Sequence, residues 1–475
     1  MSSTLLERAQ TPTVPRDRNP ALGMAIVLVA QLMLILDAAV MNVALPRIGQ
    51  DLGFTSAGLS WVLNGYGLAF GGLLLLGGRL GDVLGRLRVF WTGVAVFTLF
   101  SLAGGLAQTA GELVAARILQ GVGAALAAPS VLALLTTSAR TEGERNRALA
   151  LFAAVSSGGA TLGLLLGGVL TDLGSWRWTL FINVPIGLAV LALVRRYVVE
   201  TPRRPGRFDI VGAIAATGSA VSVVWALIGA PEHGWGSVRT VGGIALGAVL
   251  LGILLVTEAR VAHPLLRLSL LRSRRRVAGL VTMATMVAAQ FPLFFLGVQY
   301  LQLQLGYGPV ATGLAFLPLS LGIFTMSRFT PRLVARFGTA PLMVLGTAGI
   351  ATSSLWLAGL PASGSFVVTV LGPFLLNGLS AGLVFMPTTA TVLADVEAVH
   401  AGSASGLLQT MQQLGGAMGV AIVASTYAAH HPASAPFVTG IPAAFEASAL
   451  IATIAVVSAA SLLVRRRVPA LAEAG

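Results

Sequence analysis

Apolar residues along the chain come in blocks of about 20, the length at which a helix crosses a hydrocarbon core of about 30 Å. Short polar segments rich in arginine, glycine and proline separate the blocks. Helical spans are predicted at 21–45, 58–77, 89–109, 111–135, 148–171, 178–194, 209–230, 240–257, 277–300, 310–327, 340–359, 364–389, 402–427 and 443–464. The first block is longer than a signal-peptide core of about 7–15 residues, so it is read as a retained span. The predicted class is an all-α polytopic membrane protein with 14 transmembrane helices.

Charge then orients the map. The cations are all arginine, and 26 of the 30 fall in alternate connectors: the N-terminal tail (Arg8, Arg16, Arg18), the segments around Arg86, Arg145, Arg204, Arg274 and Arg332, and the tail at Arg465–Arg467. Arg47, Arg177 and Arg239 lie in the other connectors and Arg117 inside a span. Cytoplasmic loops carry the excess of basic residues, so both termini are expected in the cytoplasm of a cell that holds the chain in its inner (cytoplasmic) membrane. The net charge of +13 is thereby assigned to topology, and no nucleic-acid partner is expected.

Internal similarity divides the chain. "AAPSVLALL" (Ala127–Leu135) and "VFMPTTATVL" (Val384–Leu393) each place a proline inside an apolar helix. A glycine pair follows each, Gly158-Gly159 and Gly415-Gly416. Such duplication is the plan of transporters whose substrate site lies between two repeats. The expected organisation is a tail at 1–20, a six-helix bundle at 21–195, linkers and an extra helix pair at 196–276, a second six-helix bundle at 277–464 and a tail at 465–475.

Composition removes several chemistries. No cysteine is present, and the five histidines fall in predicted loops away from acids, so no metal is expected. No nucleophile, base and oxyanion set can be assembled, so the chain is not read as an enzyme. There is no Gly-x-x-x-x-Gly-Lys-Ser/Thr motif and no lysine at all. Any work done must then draw on an ion gradient, without a cofactor.

One acid stands out. Asp37 interrupts "LMLILDAAVMNVALP" (Leu32–Pro46), where a charge costs about 2.5–3.5 kcal/mol on insertion scales. It lies about 13 Å in from Pro46, and Arg117 about 9 Å in from Gly111, both counted from the outer side. The two side chains are expected to meet or to flank one cavity. Burial raises the pKa of a carboxylate and a nearby cation lowers it, so a cavity that changes face can make Asp37 take up and release a proton. The alternative is a carboxylate that only ties helices together.

Four stretches in order resemble the Major Facilitator Superfamily, in its fourteen-span drug:proton antiporter branch: "LDAAVMNVALPRIGQDL" (Leu36–Leu52), "GGRLGDVLGRLRVF" (Gly77–Phe90), "ELVAARILQGVGAALAAPS" (Glu112–Ser130) and "SWRWTLFINVPIG" (Ser175–Gly187). Two positions depart from the pattern: Leu164 stands where the fifth-span motif has proline, and Val83 where the loop motif has a basic residue. The resemblance implies proton coupling through Asp37 and Arg117, and a conformational latch at Gly81, Asp82, Gly85, Arg86 and Arg88. Gly159, Gly163, Gly167 and Gly168 form the fifth-span motif, the first three on one helix face.

Polar and aromatic residues expected on the substrate cavity are Asn42, Gln120, Gln290, Phe294, Gln299, Asn377, Gln409, Met411 and Gln412. The function this implies is proton-coupled efflux of hydrophobic drugs, antibiotics or dyes by alternating access, by a chain expected to be a monomer. Transport of an endogenous metabolite (a self-made antibiotic, a siderophore or an amino acid) and a non-transporting membrane sensor are the other readings.

Overall fold

In lipid every backbone N–H and C=O must be satisfied within its own segment, so an apolar chain of this kind folds as helices. The computed structural model describes residues 20–54, 56–138, 141–200, 210–260, 268–394, 396, 401–430 and 436–463. Residues 1–19 of the N-terminal tail, the C-terminal tail at 465–475, Arg140, and the arginines of the connectors at 201–209 and 261–267 lie outside the described residues.

The helices, in order, are α1 (Pro20–Leu52), α2 (Ser56–Leu84), α3 (Arg86–Gly105), α4 (Ala110–Ser138), α5 (Glu142–Leu173), α6 (Trp178–Phe181), α7 (Asn183–Tyr197), α8 (Ile210–His233) and α9 (Val238–Arg260). They continue with α10 (Arg274–Gln299), α11 (Pro309–Ala315), α12 (Leu317–Phe337), α13 (Thr339–Ala358), α14 (Phe366–Thr369), α15 (Leu371–Leu393), α16 (Ala401–His430) and α17 (Ile441–Ala460). Single residues, Ile182, Phe316 and Val370, interrupt the runs α6–α7, α11–α12 and α14–α15.

Each predicted span falls on one helix or one such interrupted run. Among the described residues, however, ten helices are long and apolar enough to cross a membrane, or eleven with α2, which bends by 48°. Shorter apolar stretches lie at Leu162–Leu173 and Ile214–Leu227. Helices α5, α8 and α16 are the long helices outside that count, which covers the described residues alone. The first span also runs past its predicted end. Ile48, two residues beyond Pro46, is wholly buried with Leu59 and Val62, and that packing carries the helix on to Leu52.

Helices α1–α7 pack chiefly on one another, with α3 and α2 against α4 and α1 against α5. Helices α10–α17 do likewise, with α13 against α15 and α17 and α12 against α15. The two sets touch where α2 meets α16 and where α5 meets α11. Helix α8 lies against both α2 and α16, and Thr217 Oγ1 donates to Gly72 O at 2.8 Å. Helix α9 packs almost wholly on α8, where Ser219 Oγ donates to Gly247 O at 2.8 Å.

Candidate functional site

The fixed part of the site is a buried polar network inside the first set. On α4, Arg117 and Gln120 are three residues apart and share one helix face. The Arg117 guanidinium donates from Nη1 to Asp37 Oδ2 at 2.6 Å and to Gln120 Oε1 at 2.7 Å, and from Nε to Val62 O at 3.1 Å. Gln120 Nε2 donates to Asp37 Oδ1 at 2.8 Å, and Asn183 Nδ2 donates to the same oxygen at 2.8 Å. Ser101 Oγ accepts from both amides, at 3.1 and 2.9 Å, and donates to Leu180 O at 3.0 Å. Tyr66 closes one side, its ring centroid 4.4 Å from Arg117 Cζ.

Asp37 and Arg117 are both at most 1% exposed. Desolvating two ions costs several kcal/mol each, and such a pair is tolerable only when the remaining lone pairs and protons are also bonded. Here three donors, Arg117 Nη1, Gln120 Nε2 and Asn183 Nδ2, surround the carboxylate. One atom is left over: Arg117 Nη2 is buried without a hydrogen bond.

Helix α1 is seated by α5. A Cβ on Gly163 would stand 2.6 Å from the Ala39 side chain, and one on Gly167 2.8 Å from Val40 O. Gly159 meets Ile35 in the same way, so the three glycines bracket the turn that carries Asp37. Gly168 points the other way, 2.5 Å from Pro309 O at the Cβ position, and Gly313 of α11 meets Leu164 O at 2.8 Å. With Leu164 in place of proline, α5 is a continuous helix from Glu142 to Leu173.

At the opposite end of the first set, Gly85 at φ 110° separates α2 from α3 and lets the chain fold back. Across it Arg86 Nη2 donates to Asp82 Oδ1 at 2.6 Å, and Arg86 Nη1 donates to Pro129 O at 3.2 Å. Glu200 Oε1 accepts from Leu87 N at 2.8 Å and Oε2 from Arg88 N at 3.3 Å, a carboxylate set on the start of α3. A Cβ on Gly81 would meet the Arg86 side chain and one on Gly85 would meet Glu200, and the φ of Gly85 makes glycine the residue for that position. Among the described residues, the side-chain bonds of Asp82 and Arg86 stay within α2–α4.

The residues expected on the cavity have different surroundings. Gln120 is wholly buried in the Asp37 network, where its spacing from Arg117 places it. Asn377, 1% exposed, is enclosed where α15 packs on its neighbours. Asn42 Nδ2 and Gln299 Nε2 donate to carbonyls of their own helices, Ala38 O at 3.0 Å and Phe295 O at 3.2 Å. Phe294 stacks on Phe316 at 5.7 Å, within a ring cluster that includes Phe374. Gln290, Gln409, Met411 and Gln412 are part-exposed on α10 and α16, as are Asn42, Phe294 and Gln299 on their own helices.

Sequence reasoning named Asp37, Arg117 and Gln120 but missed Asn183, Ser101, Tyr66 and Glu200. An asparagine one residue after the break at Ile182, and an acid before a Pro-Arg run, were the available signals. No group of three His, Asp or Glu side chains is placed to hold a metal ion among the described residues.

Comparison with known proteins agrees with this architecture. Among solved structures, a POT family transporter in complex with a thioalcohol-conjugated peptide superposes with a TM-score of 0.69 at 14% identity, covering 93% of this chain and 95% of that one. The human organic anion transporter MFSD10 gives 0.61 at 15% identity, covering 94% and 100%. In sequence, the chain is 41% identical over 407 residues to the puromycin resistance protein pur8 of Streptomyces alboniger, covering 84% of this chain and 80% of the relative. It is 40% identical to the cephamycin export protein CmcT of Amycolatopsis lactamdurans, covering 83% and 82%. The lincomycin resistance protein of Streptomyces lincolnensis is 35% identical, covering 86% and 85%. The profile of the Major Facilitator Superfamily matches residues 27–420. A multi-pass membrane transporter rather than an enzyme, the chain belongs to the Major Facilitator Superfamily.

Proposed function

We propose that this transporter exports hydrophobic small molecules, antibiotics among them, in exchange for protons by alternating access. The observation that carries the reading is the buried Asp37–Arg117 pair, an ionisable group at membrane depth held by a cation and two amides. The relatives named for antibiotic resistance or export support the substrate class.

In the full reading the chain crosses the membrane fourteen times, with both termini in the cytoplasm. Residues 21–195 and 277–464 form two six-helix bundles, and 196–276 the linkers and extra pair. The Pro309 end then faces outward. Close approach of Gly168 to Pro309 and of Gly313 to Leu164, with Gln302 Nε2 donating to Val43 O at 3.1 Å, supports a conformation closed on that side. The absence of a bond from Asp82 or Arg86 to the second set, among the described residues, is consistent with a cytoplasmic side that is not latched.

In this conformation Asp37 is an anion. Rocking α1 and α5 against α11 opens the outer side, loosens the Arg117 contact and exposes the carboxylate to protonation. Return to the inward state releases the proton as Arg117 closes on it. Each elementary charge moved is worth about 2.3 kcal/mol per 100 mV.

The test is drug-dependent discharge of a pH gradient in inverted vesicles, with puromycin and lincomycin as probes. Wild type and Asp37→Glu should discharge the gradient and Asp37→Asn should not. Wild-type coupling in Asp37→Asn would refute the role. A second reading, export of a compound made by the cell itself, is favoured by the name of the cephamycin relative. A pump-deficient host challenged with a broad drug panel separates the two: protection against one chemical family alone supports the second.

A further inference from the structure

An open hollow of about 520 Å³ lies between the first set and the α8–α9 pair, at the Pro309 end of the molecule. It lies at the ends of five helices: Phe54 follows α1, Trp61 is in the first turns of α2, Gly111 and Val114 begin α4, and Trp225 and Arg239 come from α8 and α9. The walls are mainly apolar and aromatic, and Arg239 is the charged residue among them.

Arg239 is fixed in place by groups that carry no negative charge. Its guanidinium lies 4.3 Å from the Trp225 ring centroid. Arg239 Nη1 is 2.7 Å from His233 Nε2, and His233 Nδ1 is 3.0 Å from Gly229 O. A carbonyl can only accept, so Nδ1 carries the hydrogen, Nε2 accepts from the arginine, and the imidazole is neutral. Arg239 Nε is buried without a partner, and among the described residues Arg239 makes no ion pair. The nearby acid, Glu112, does not line the cavity: its Oε2 accepts from Gln108 N at 2.8 Å and Thr109 N at 3.3 Å.

A guanidinium without an ion pair among the described residues, above an aromatic trough at the level where helices end, matches the two parts of a phospholipid. The cation pairs with a phosphate, and indole rings lie where headgroup gives way to acyl chain. The same charge opposes cationic drugs. We propose that this cavity binds an anionic phospholipid, with the phosphate on Arg239 and an acyl chain along Trp225, Trp61 and Val114, sealing the extra helix pair to α2 and α4.

Native mass spectrometry of the full chain in detergent tests this, with phosphatidylglycerol, phosphatidylcholine of the same chains, and glycerol phosphate as probes. One cation near a headgroup is worth about a fivefold preference for the anionic lipid. Wild type should show that preference and bind glycerol phosphate negligibly. Arg239→Gln should bind both lipids equally, and Trp61→Leu should weaken both while keeping the preference. Should Arg239→Gln misfold, as its thermal melt would reveal, Arg239→Lys, which keeps the charge, must retain the preference. Equal binding of the two lipids by wild type, or a preference that survives Arg239→Gln, overturns the proposal. Glycerol phosphate binding as tightly as phosphatidylglycerol would assign the site to a soluble anion and overturn it too.

Discussion

The two helix sets share a plan but bury different chemistry. In α1–α7 the core holds an ion pair with two amides and a hydroxyl around it, every member drawn from a different helix except Arg117 and Gln120. In α10–α17 most buried polar groups are hydroxyls, several of them donating to backbone carbonyls, as Ser353 does to Pro373 O at 3.0 Å and Ser448 to Ala289 O at 2.6 Å. Asn377 and Arg276 are buried there too, the guanidinium donating to the carbonyls of Val392, Leu270 and Ala394, with no carboxylate beside it among the described residues. Aromatic stacking through Phe294, Phe316 and Phe374 supplies the rest. A hydroxyl–carbonyl bond contributes about 1 kcal/mol and does not respond to protons. A buried ion pair is costly to form and costlier to half-remove. In the proposed cycle the first set therefore carries the responsive element, and the second is the half against which it moves.

The largest expected effect breaks that element from the cation side. Arg117→Ala leaves Asp37 buried and unpaired, and should cost about 3–5 kcal/mol or force the carboxyl to stay protonated. A lowered melting temperature, with loss of drug-driven proton movement, is the readout. The double variant Asp37→Asn with Arg117→Gln should be more stable than Arg117→Ala alone, since no charge is then stranded, and a melt no better would show that the pair is not coupled.

Next comes the seating of the acid. Gly167→Val pushes into Val40 O and should destabilise by about 1–3 kcal/mol while reducing transport. Smaller still is Glu200→Gln, which leaves a neutral acceptor at the start of α3 and should cost about 1 kcal/mol. The bonds of Asp82 and Arg86 would persist, so crosslinking within α2–α4 should be unchanged. The smallest effect belongs to the second set: Ser448→Ala should lower stability by about 1 kcal/mol or less with proton coupling intact. A Ser448→Ala protein that melted normally but lost coupling would dissolve the contrast between the sets.

What could be read from the chain follows from the kind of signal involved. Apolar blocks and arginine spacing located every helical run, because length and charge are local properties. The meeting of Asp37 with Arg117 was also legible, since two charges at similar depth have few other partners. Asn183 and Ser101 were not, because a single polar residue in a helix announces neither which face it takes nor which helix it meets. The cavity residues fared worst for the same reason: Gln120 and Asn377 carry the polarity of a ligand site and are enclosed by packing instead. Glu200 escaped notice because its partner amides are more than 100 positions away.

Helix α8 leaves a mechanical constraint. It leans on both sets at once, yet its polar tie runs to Gly72 of the first. In the proposed alternating-access cycle, one of its two contacts has to slide whenever the halves swing, and the tethered one resists. The extra pair is therefore a passenger of the first half, and α16 is the bearing surface along which it glides.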